Sequence, residues 1–310
     1  MDKPILFFMV GLPCSGKSVK AQELAEKHNA TVFSSDELRE ELFNDINHQA
    51  DNAKLFNELH RRIKECLREG KNAVYDATNI NYKRRMAFIS ELKNIPCKKI
   101  CVMMATPYEE CLQRNSVRER KVPEYVIERM YRNFDVPWYY EGWDNIEVEC
   151  IDWAESLYGS PYHFIESTMR FNQENSHHDL TLGEHCAKTT TYINQCLSNQ
   201  INTNSSLELR YAAMLHDNGK PCTKTFTNSR GEVTEQAHYY SHEHCGSYDS
   251  FFYEMPCNKL YVATLIRWHM QPYFYEKDNN EKLHEKYKKL WGENLYNAIM
   301  LLHKADKAAH

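Results

Sequence analysis

Ile5-Leu6-Phe7-Phe8-Met9-Val10-Gly11-Leu12-Pro13-Cys14-Ser15-Gly16-Lys17-Ser18 decides the fold of the first half of this chain. The run Ile5–Val10 is apolar without alternation, as a strand buried on both faces of a parallel sheet must be. It is too short for a signal peptide and runs straight into a glycine loop. The loop has the spacing GxxxxGKS, and residues 19–28 after it read as a helix. Strand, loop and helix together form the context in which this spacing cradles phosphate. Gly11 and Gly16 permit torsions and close approach that a side chain would block. The loop N–H groups, Ser15 among them, and the helix N-terminus then face an anion. Lys17 is expected to reach the β- and γ-phosphates of ATP, and the Ser18 hydroxyl to bind Mg²⁺.

Further strands ending in polar residues follow. Thr31 to Ser35 leads into Asp36-Glu37-Leu38-Arg39, and Ala73-Val74-Tyr75 into Asp76-Ala77-Thr78-Asn79. Lys99 to Met104 is another buried strand, and helical periodicity fills residues 51–69. This rhythm predicts an α/β domain with a parallel sheet and helices on both faces. Two readings of Asp36 stand at this point. It could accept a proton from an acceptor hydroxyl at the end of its strand, or it could simply cap the helix that follows. Arg114, Arg118, Arg120 and Lys121 lie within eight residues. Beside a nucleotide loop they read as a cationic lid that neutralises the transferring phosphoryl group.

Composition separates the two halves. Of 15 histidines, 3 fall in residues 1–150 and 12 in residues 151–310. Net charge is −5 over 310 residues, which excludes a broadly basic nucleic-acid surface. Residues 81–132 nevertheless carry 12 Lys/Arg against 6 Asp/Glu, so a phosphate-rich partner should meet the first half. The 11 cysteines contain no CxxC pair and read as reduced thiols of a cytoplasmic protein. No apolar run reaches the ~18 residues of a membrane span. The length suggests two domains, here drawn at 1–155 and 156–310. Residues 133–165 are an aromatic-rich joint, for interdomain packing or for stacking unpaired bases.

Residues 1–137 resemble the kinase domain of phage-type 5′-hydroxyl polynucleotide kinases. The matching stretches are GLPCSGKS, Ser35-Asp36-Glu37-Leu38-Arg39, Asp76-Ala77-Thr78-Asn79 with Lys83-Arg84-Arg85, and Arg114-Asn115-Ser116 followed by Val122-Pro123. The resemblance implies that Asp36 is the general base and Arg39 an acceptor-phosphate contact. Asp76, Asn79 and Arg84 would help to bind the acceptor. Arg114, with Arg118, would act on the donor phosphates. One departure is Ala77, which stands between the aspartate and Thr78-Asn79; a DATN string also occurs in P-loop kinases of other small hydroxyl acceptors.

From residue 178 the pattern is almost entirely helical. His185, His216-Asp217, His242, His269 and Asp306 recur on separate helical segments, with Gly219 read as a helix stop after His216-Asp217. Packed helices can build a metal site from such inward-facing ligands. The ordered set is similar to the HD phosphohydrolase superfamily over roughly 177–310. That resemblance implies one metal on His185, His216, Asp217 and Asp306, a second site completed by His242 and His269, and a substrate-phosphate contact from Lys220. Imidazole and carboxylate ligands suit Mn, Fe, Co, Ni or Zn. A bound divalent ion would supply a hydroxide near neutral pH for attack on a phosphoester. His163, His177, His178, His238, His244, His284, His303 and His310 are left without an assigned role, although His238 could lie near the site.

The two resemblances together imply a bifunctional RNA end-healing enzyme. One half would phosphorylate 5′-OH ends with ATP·Mg²⁺. The other would hydrolyse 2′,3′-cyclic or 3′-phosphate ends. RNA, with DNA as the alternative, would be the substrate; self-association and a separate ligase partner fit the same scheme, and no membrane partner does. Two other readings remain: a nucleoside or small-metabolite kinase fused to a nucleotidase, and a kinase regulated by a nucleotide-sensing HD domain.

Overall fold

A computed structural model describes residues 3–46, 48, 50–175, 179–198, 206–277 and 279–309. His177, His178 and His310 lie outside them. The chain forms two compact units, residues 1–130 with 137–150 and residues 131–136 with 151–310.

The first unit is a five-stranded, wholly parallel sheet in the order β2-β3-β1-β4-β5. The strands are β1 (Ile5–Val10), β2 (Ala30–Ser34), β3 (Asn72–Asp76), β4 (Lys98–Ala105) and β5 (Asn145–Cys150). Crossover helices connect them: α1 (Lys17–His28), α2 (Ser35–Phe43), α3 (Asn52–Arg68), α4 (Tyr82–Glu91), α5 (Tyr108–Ser116) and α6 (Glu124–Tyr131). The central place of β1 explains its unbroken apolar run. Phe7 and Met9 pack with Ala21 and Leu24 of α1 and with Val74, Ile100 and Val102. Phe8 points the other way, against Tyr75, Phe88 and Trp143. A strand covered on both faces has no position for a polar side chain.

The second unit is mainly helical. Its helices are α7 (Pro161–Thr168), α8 (Leu182–Ser198), α9 (Ser206–Leu215), α10 (Lys220–Thr223), α11 (His242–Asp249), α12 (Lys259–Trp268), α13 (Gln271–Lys277) and α14 (Glu281–Ala308). Helix α8 packs on α7, α9 and α14, while α12 packs on α9, α11 and α14. Gly183 permits the close α7–α8 approach, since a Cβ there would sit 2.5 Å from the Ile165 carbonyl. Gly292 (φ 73°, ψ 169°) breaks α14 into two segments. The all-helical expectation needs one correction. Residues 225–238 form an antiparallel hairpin of β6 (Thr225–Thr227) and β7 (Val233–His238). Its alternation is obscured because the strands are short and largely exposed.

Candidate functional site

In the first unit, the C-terminal ends of the parallel strands gather the polar residues, as expected of open α/β sheets. The loop after β1 is held shut from several sides. Gly11 donates its N–H to the Thr78 carbonyl at 3.0 Å, and Thr106 Oγ1 donates to the Ser15 carbonyl at 2.9 Å. A Cβ on Gly11 would lie 2.8 Å from Ser15 Oγ and 3.2 Å from the Met104 carbonyl, so a larger residue would have to displace Ser15 and crowd β4. Gly16 caps α1 with φ +94°, a left-handed conformation costly for other residues. Lys17 is buried and donates to the Leu12 carbonyl at 2.6 Å. Its burial lowers the ammonium's pKa, offset in part by Asp76 at the end of β3. Ser18 is exposed in the first turn of α1.

Four arginines converge on this loop and on Asp36. Arg114 lies 3.8 Å from the position a Gly16 Cβ would take and is steadied by Glu110 at 2.7 Å. Arg118 Nη1 donates to Cys14 Sγ at 3.3 Å, at the tip of the loop. Asp36 accepts from Arg39 Nη1 at 3.0 Å on one oxygen and from Arg120 Nη1 at 3.3 Å on the other. Its side chain is about half exposed (53 %). The capping role falls to another residue: Ser34 is the N-cap of α2, and its hydroxyl accepts from the N–H groups of Asp36 and Glu37. Asp36, in the first turn, keeps its carboxylate for side-chain partners.

Asp76 is buried at the end of β3, and Asn79 bonds the Met9 carbonyl at 2.9 Å, tying the Asp76-Ala77-Thr78-Asn79 segment to β1. Arg84 is exposed on α4. Its neighbour Arg85, missed as an individual in the sequence, is fully buried. It pairs bidentately with Glu141 at 2.7 Å and donates to the Asn79 carbonyl at 2.9 Å. Asn115 was also missed. Its amide bonds both the N–H and the carbonyl of Val122 at 2.8 Å, closing residues 116–122 into the loop that carries Arg118 and Arg120.

In the second unit, His185 (α8), His216 and Asp217 (the turn after α9), His242 (start of α11), His269 (just past α12) and Asp306 (last turns of α14) meet in the helical core. All six are buried. His185 Nε2 lies 3.0 Å from His216 Nε2 and 3.0 Å from Asp306 Oδ1. Asp217 Oδ2 is 3.5 Å from His185 Nε2 and 3.4 Å from His216 Nε2. Its other oxygen, Oδ1, faces His242 Nε2 at 3.3 Å and His269 Nε2 at 3.7 Å. Those two nitrogens are 3.3 Å apart. His185-His216-Asp217 and Asp217-His242-His269 each place three ligand atoms within 4.8 Å of one another.

The cluster's outer contacts turn it toward a cation. His216, His242 and His269 each direct Nδ1 at the carbonyl three residues earlier, at 3.0, 2.8 and 2.6 Å. A carbonyl only accepts, so in the neutral imidazole the proton sits on Nδ1 and the Nε2 lone pair faces inward. Two lone pairs facing each other at about 3 Å need a proton or a cation between them, and this donor set fits a divalent transition metal. Burial alone would raise the Asp217 carboxyl, but Lys220, His216 and His242 outweigh it and hold it well below the usual range. Asp306 is held low by His185 and His216 against the same burial. Burial, with His242 and His216 beside it, pushes His269 down to about 3.

Lys220 donates to Asp217 Oδ2 at 2.7 Å and to Gln173 Oε1 at 2.8 Å. Tyr273 donates to Asp306 Oδ2 at 3.0 Å. Gln173 and Tyr273 carried no sequence signal, because their role depends on a fold that brings distant segments together. Gly219 does not act as a left-handed helix stop, since its φ is −81°. It is needed for space, as a Cβ there would lie 2.1 Å from the His242 carbonyl and 2.7 Å from Gly246 N. His238 instead pairs with Thr234 on the hairpin at 2.9 Å.

Residues 6–137 match the AAA domain family. The first unit has a P-loop kinase fold. A curated relative, L-seryl-tRNA(Sec) kinase of Methanococcus maripaludis, is 26% identical over 162 residues, covering 49% of this chain and 63% of its own. The chain thus spans less than two thirds of that relative's length. Among solved structures, a putative kinase from Chloroflexus aurantiacus aligns with TM-score 0.41 and 18% identity over 48% of this chain and 86% of its own. The Pnkp1/Rnl/Hen1 RNA repair complex aligns with TM-score 0.37 and 19% identity, covering 42% of this chain and 43% of that one. A gluconokinase from Sinorhizobium meliloti gives 0.36 and 13% identity, over 49% and 85% of the two chains. No helix among the described residues is long and apolar enough to cross a membrane.

Proposed function

We propose that the chain phosphorylates 5′-OH ends of polynucleotides with ATP and removes 2′,3′-cyclic or 3′-phosphate ends at a metal site in its second unit. The observation that carries the kinase half is Asp36, clasped by Arg39 and Arg120 at the strand ends that also carry the phosphate loop. A carboxylate can take the proton of an attacking hydroxyl, and the flanking guanidiniums suit the phosphate next to that hydroxyl. Lys17, the loop N–H groups and Arg114 would hold the β- and γ-phosphates, and Ser18 the Mg²⁺. Asp76, Asn79 and Arg84 would complete the acceptor side.

For the second unit, the two oxygens of Asp217 aimed at two histidine pairs support a two-cation phosphoesterase of the HD type. A bound cation would supply a water activated near neutral pH. His185, His216, Asp217 and Asp306 would hold one ion, with His242 and His269 on the other side of Asp217. Lys220 would meet a substrate phosphoryl oxygen. Kinase and phosphoesterase on one chain are the two steps that make both ends of a cleaved RNA ligatable.

The test is one RNA oligonucleotide with a 5′-OH and a 2′,3′-cyclic phosphate, given γ-labelled ATP with Mg²⁺ and, separately, Mn²⁺ or Ni²⁺. Label should enter the 5′ end and vanish in Lys17→Ala. The cyclic phosphate should open and persist in Asp217→Ala. Labelling of nucleosides or sugars but not the oligonucleotide would overturn the polynucleotide reading. The curated relative's name favours a second acceptor, a seryl-tRNA hydroxyl, so seryl-tRNA belongs in the same panel.

A further inference from the structure

Lys220 is a buried ammonium, and a buried cation needs partners that replace its water. Asp217 Oδ2 supplies one at 2.7 Å. Two more come from side chains outside the metal cluster. Gln173 Oε1 accepts from Lys220 Nζ at 2.8 Å, and the centre of the Tyr239 ring lies 5.4 Å from the same nitrogen. The fold fixes both. Gln173 is fully buried, and its Nε2 donates to the Leu180 carbonyl at 3.1 Å, so Oε1 is the amide atom that faces the ammonium. Tyr239 Oη donates to the Gln173 carbonyl at 2.5 Å. The stretch 173–175 is laid along β7: Ala237 N–H donates to the Glu174 carbonyl at 2.8 Å, and Asn175 Nδ2 donates to the Ala237 carbonyl at 2.9 Å. Tyr239 also meets the cluster through its backbone, where its carbonyl lies 2.8 Å from His242 Nδ1.

We propose, resting on the phosphoesterase reading of the second unit, that Gln173 and Tyr239 are positioning residues. They hold the Lys220 ammonium in place while a substrate phosphoryl oxygen replaces Asp217 Oδ2 as its partner. That oxygen also faces His185 Nε2 at 3.5 Å and His216 Nε2 at 3.4 Å, so a cation held there draws on the same lone pairs as Lys220. Lysine carries its charge on a flexible stem, and a weakened bond to Asp217 would leave it to wander unless other groups held it. An amide oxygen and an aromatic face do this without a formal charge of their own. They anchor the ammonium and leave its charge to the phosphoryl group, where a carboxylate in either place would pair with it and cancel it. Tyr239 meets His242 through a main-chain carbonyl, so replacing the Tyr239 side chain leaves that contact, and with it the metal-binding role of His242, in place.

The test uses the full chain with Mn²⁺ and an oligonucleotide ending in a 2′,3′-cyclic phosphate, with bound Mn²⁺ measured by elemental analysis. Tyr239→Leu, at a half-buried position, and Gln173→Leu should each lower kcat by about tenfold, the effect of losing one contact to a charged group, with Mn²⁺ content unchanged. Tyr239→Phe keeps the ring under Lys220 and should restore most of the rate. In a Lys220→Met background, Tyr239→Leu should cost nothing further, because the group it positions is gone. A second readout needs no turnover: acetic anhydride on the metal-free chain, followed by peptide mapping, should modify Lys220 several-fold faster in Tyr239→Leu than in the parent, measured against exposed Lys121. A parent chain that leaves the cyclic phosphate closed would overturn the phosphoesterase reading itself. In an active enzyme, a further tenfold loss in the Lys220→Met background, an unchanged kcat in both leucine variants, or unchanged labelling of Lys220 would overturn the positioning roles alone.

Discussion

Lys220 donates to Asp217 Oδ2 at 2.7 Å, the oxygen that also lies 3.4 Å from His216 Nε2. A cation of the protein and a would-be ligand of a metal thus share one carboxylate oxygen, while Oδ1 remains for His242 and His269. Removing the carboxylate should empty both halves of the cluster. Asp217→Ala is expected to bind at least tenfold less Mn²⁺ by elemental analysis and to lose phosphoesterase activity. Kinase activity should stay within a factor of two. Lys220→Met should keep its metal yet lose about 10²-fold in phosphoesterase kcat, as loss of one donor at a developing charge does. Full metal content in Asp217→Ala would remove it from the ligand set.

The histidines of the cluster set a pH dependence whose sign can be worked out. Burial opposes protonation of His216 and His242, but Asp217 and Asp306 outweigh it at His216, and Asp217 with Glu243 at His242, raising both above the ordinary value of 6.5. Groups raised on folding contribute stability that is fully present below the unfolded pKa and is lost as pH rises through the folded one. A chelator-treated chain should therefore melt lower at pH 9 than at pH 6. Metal must displace those same protons, so its affinity should rise over that interval. His269, pushed down to about 3, is already neutral throughout. Thermal melts at pH 6 and pH 9 with and without Mn²⁺ check this. A Mn²⁺-induced shift no larger at pH 9 than at pH 6 would contradict it.

The parts of the fold that were legible in the sequence are those written in local pattern. The unbroken apolar run of β1 and the glycine spacing after it announced a buried strand and a phosphate loop, because both follow from backbone constraints over fourteen residues. The six residues of the second cluster were legible only as an ordered set. No spacing rule joins His185 to Asp306; their 3.0 Å contact comes from α8 packing on α14. The hairpin at 225–238 was not legible, since its short exposed strands lack a clean apolar face. Ser34 rather than Asp36 caps α2, a choice settled by the extended backbone of Ser34 (φ −92°, ψ 131°). Nothing in the string Ser34-Ser35-Asp36 distinguishes among its three candidate capping residues.

Asp36 and Arg120 give the kinase reading its sharpest test. Asp36→Asn preserves size and can still accept from Arg39 but cannot take a proton. Phosphorylation of a 5′-OH oligonucleotide should fall by roughly 10²–10⁴-fold, with ATP affinity unchanged. Arg120 reaches Asp36 from 84 residues away in sequence and also donates to the Ile46 carbonyl. Arg120→Ala should reduce kcat/KM for the oligonucleotide by about tenfold, the effect of losing one charge-assisted hydrogen bond. Steady-state kinetics with ATP and acceptor varied separately distinguish the two. An Asp36→Asn chain that phosphorylates at the parent rate would rule out the general-base role.

Arg84 and Arg85 are adjacent in sequence and opposite in consequence. Arg85 is sealed in the first unit, where Glu141 takes two of its N–H groups and the Asn79 carbonyl a third. Trp143 Nε1 also donates to Glu141 at 3.0 Å. Breaking such a pair leaves a buried carboxylate without its counter-charge, at a cost of about 3–5 kcal/mol. Arg85→Met should therefore lower the denaturation midpoint of the first unit sharply. It should also loosen the Asp76–Asn79 segment, so that kinase activity falls with stability. Arg84→Met, at an exposed helix position, should change stability by under ~0.5 kcal/mol. If Arg84 reaches the acceptor's phosphates, KM for a 5′-OH oligonucleotide should rise several-fold with little change in kcat. Urea titrations and acceptor-dependent kinetics on the pair of variants decide the matter. Equal destabilisation by the two substitutions would show that the Glu141 ion pair is not what holds this corner of the sheet.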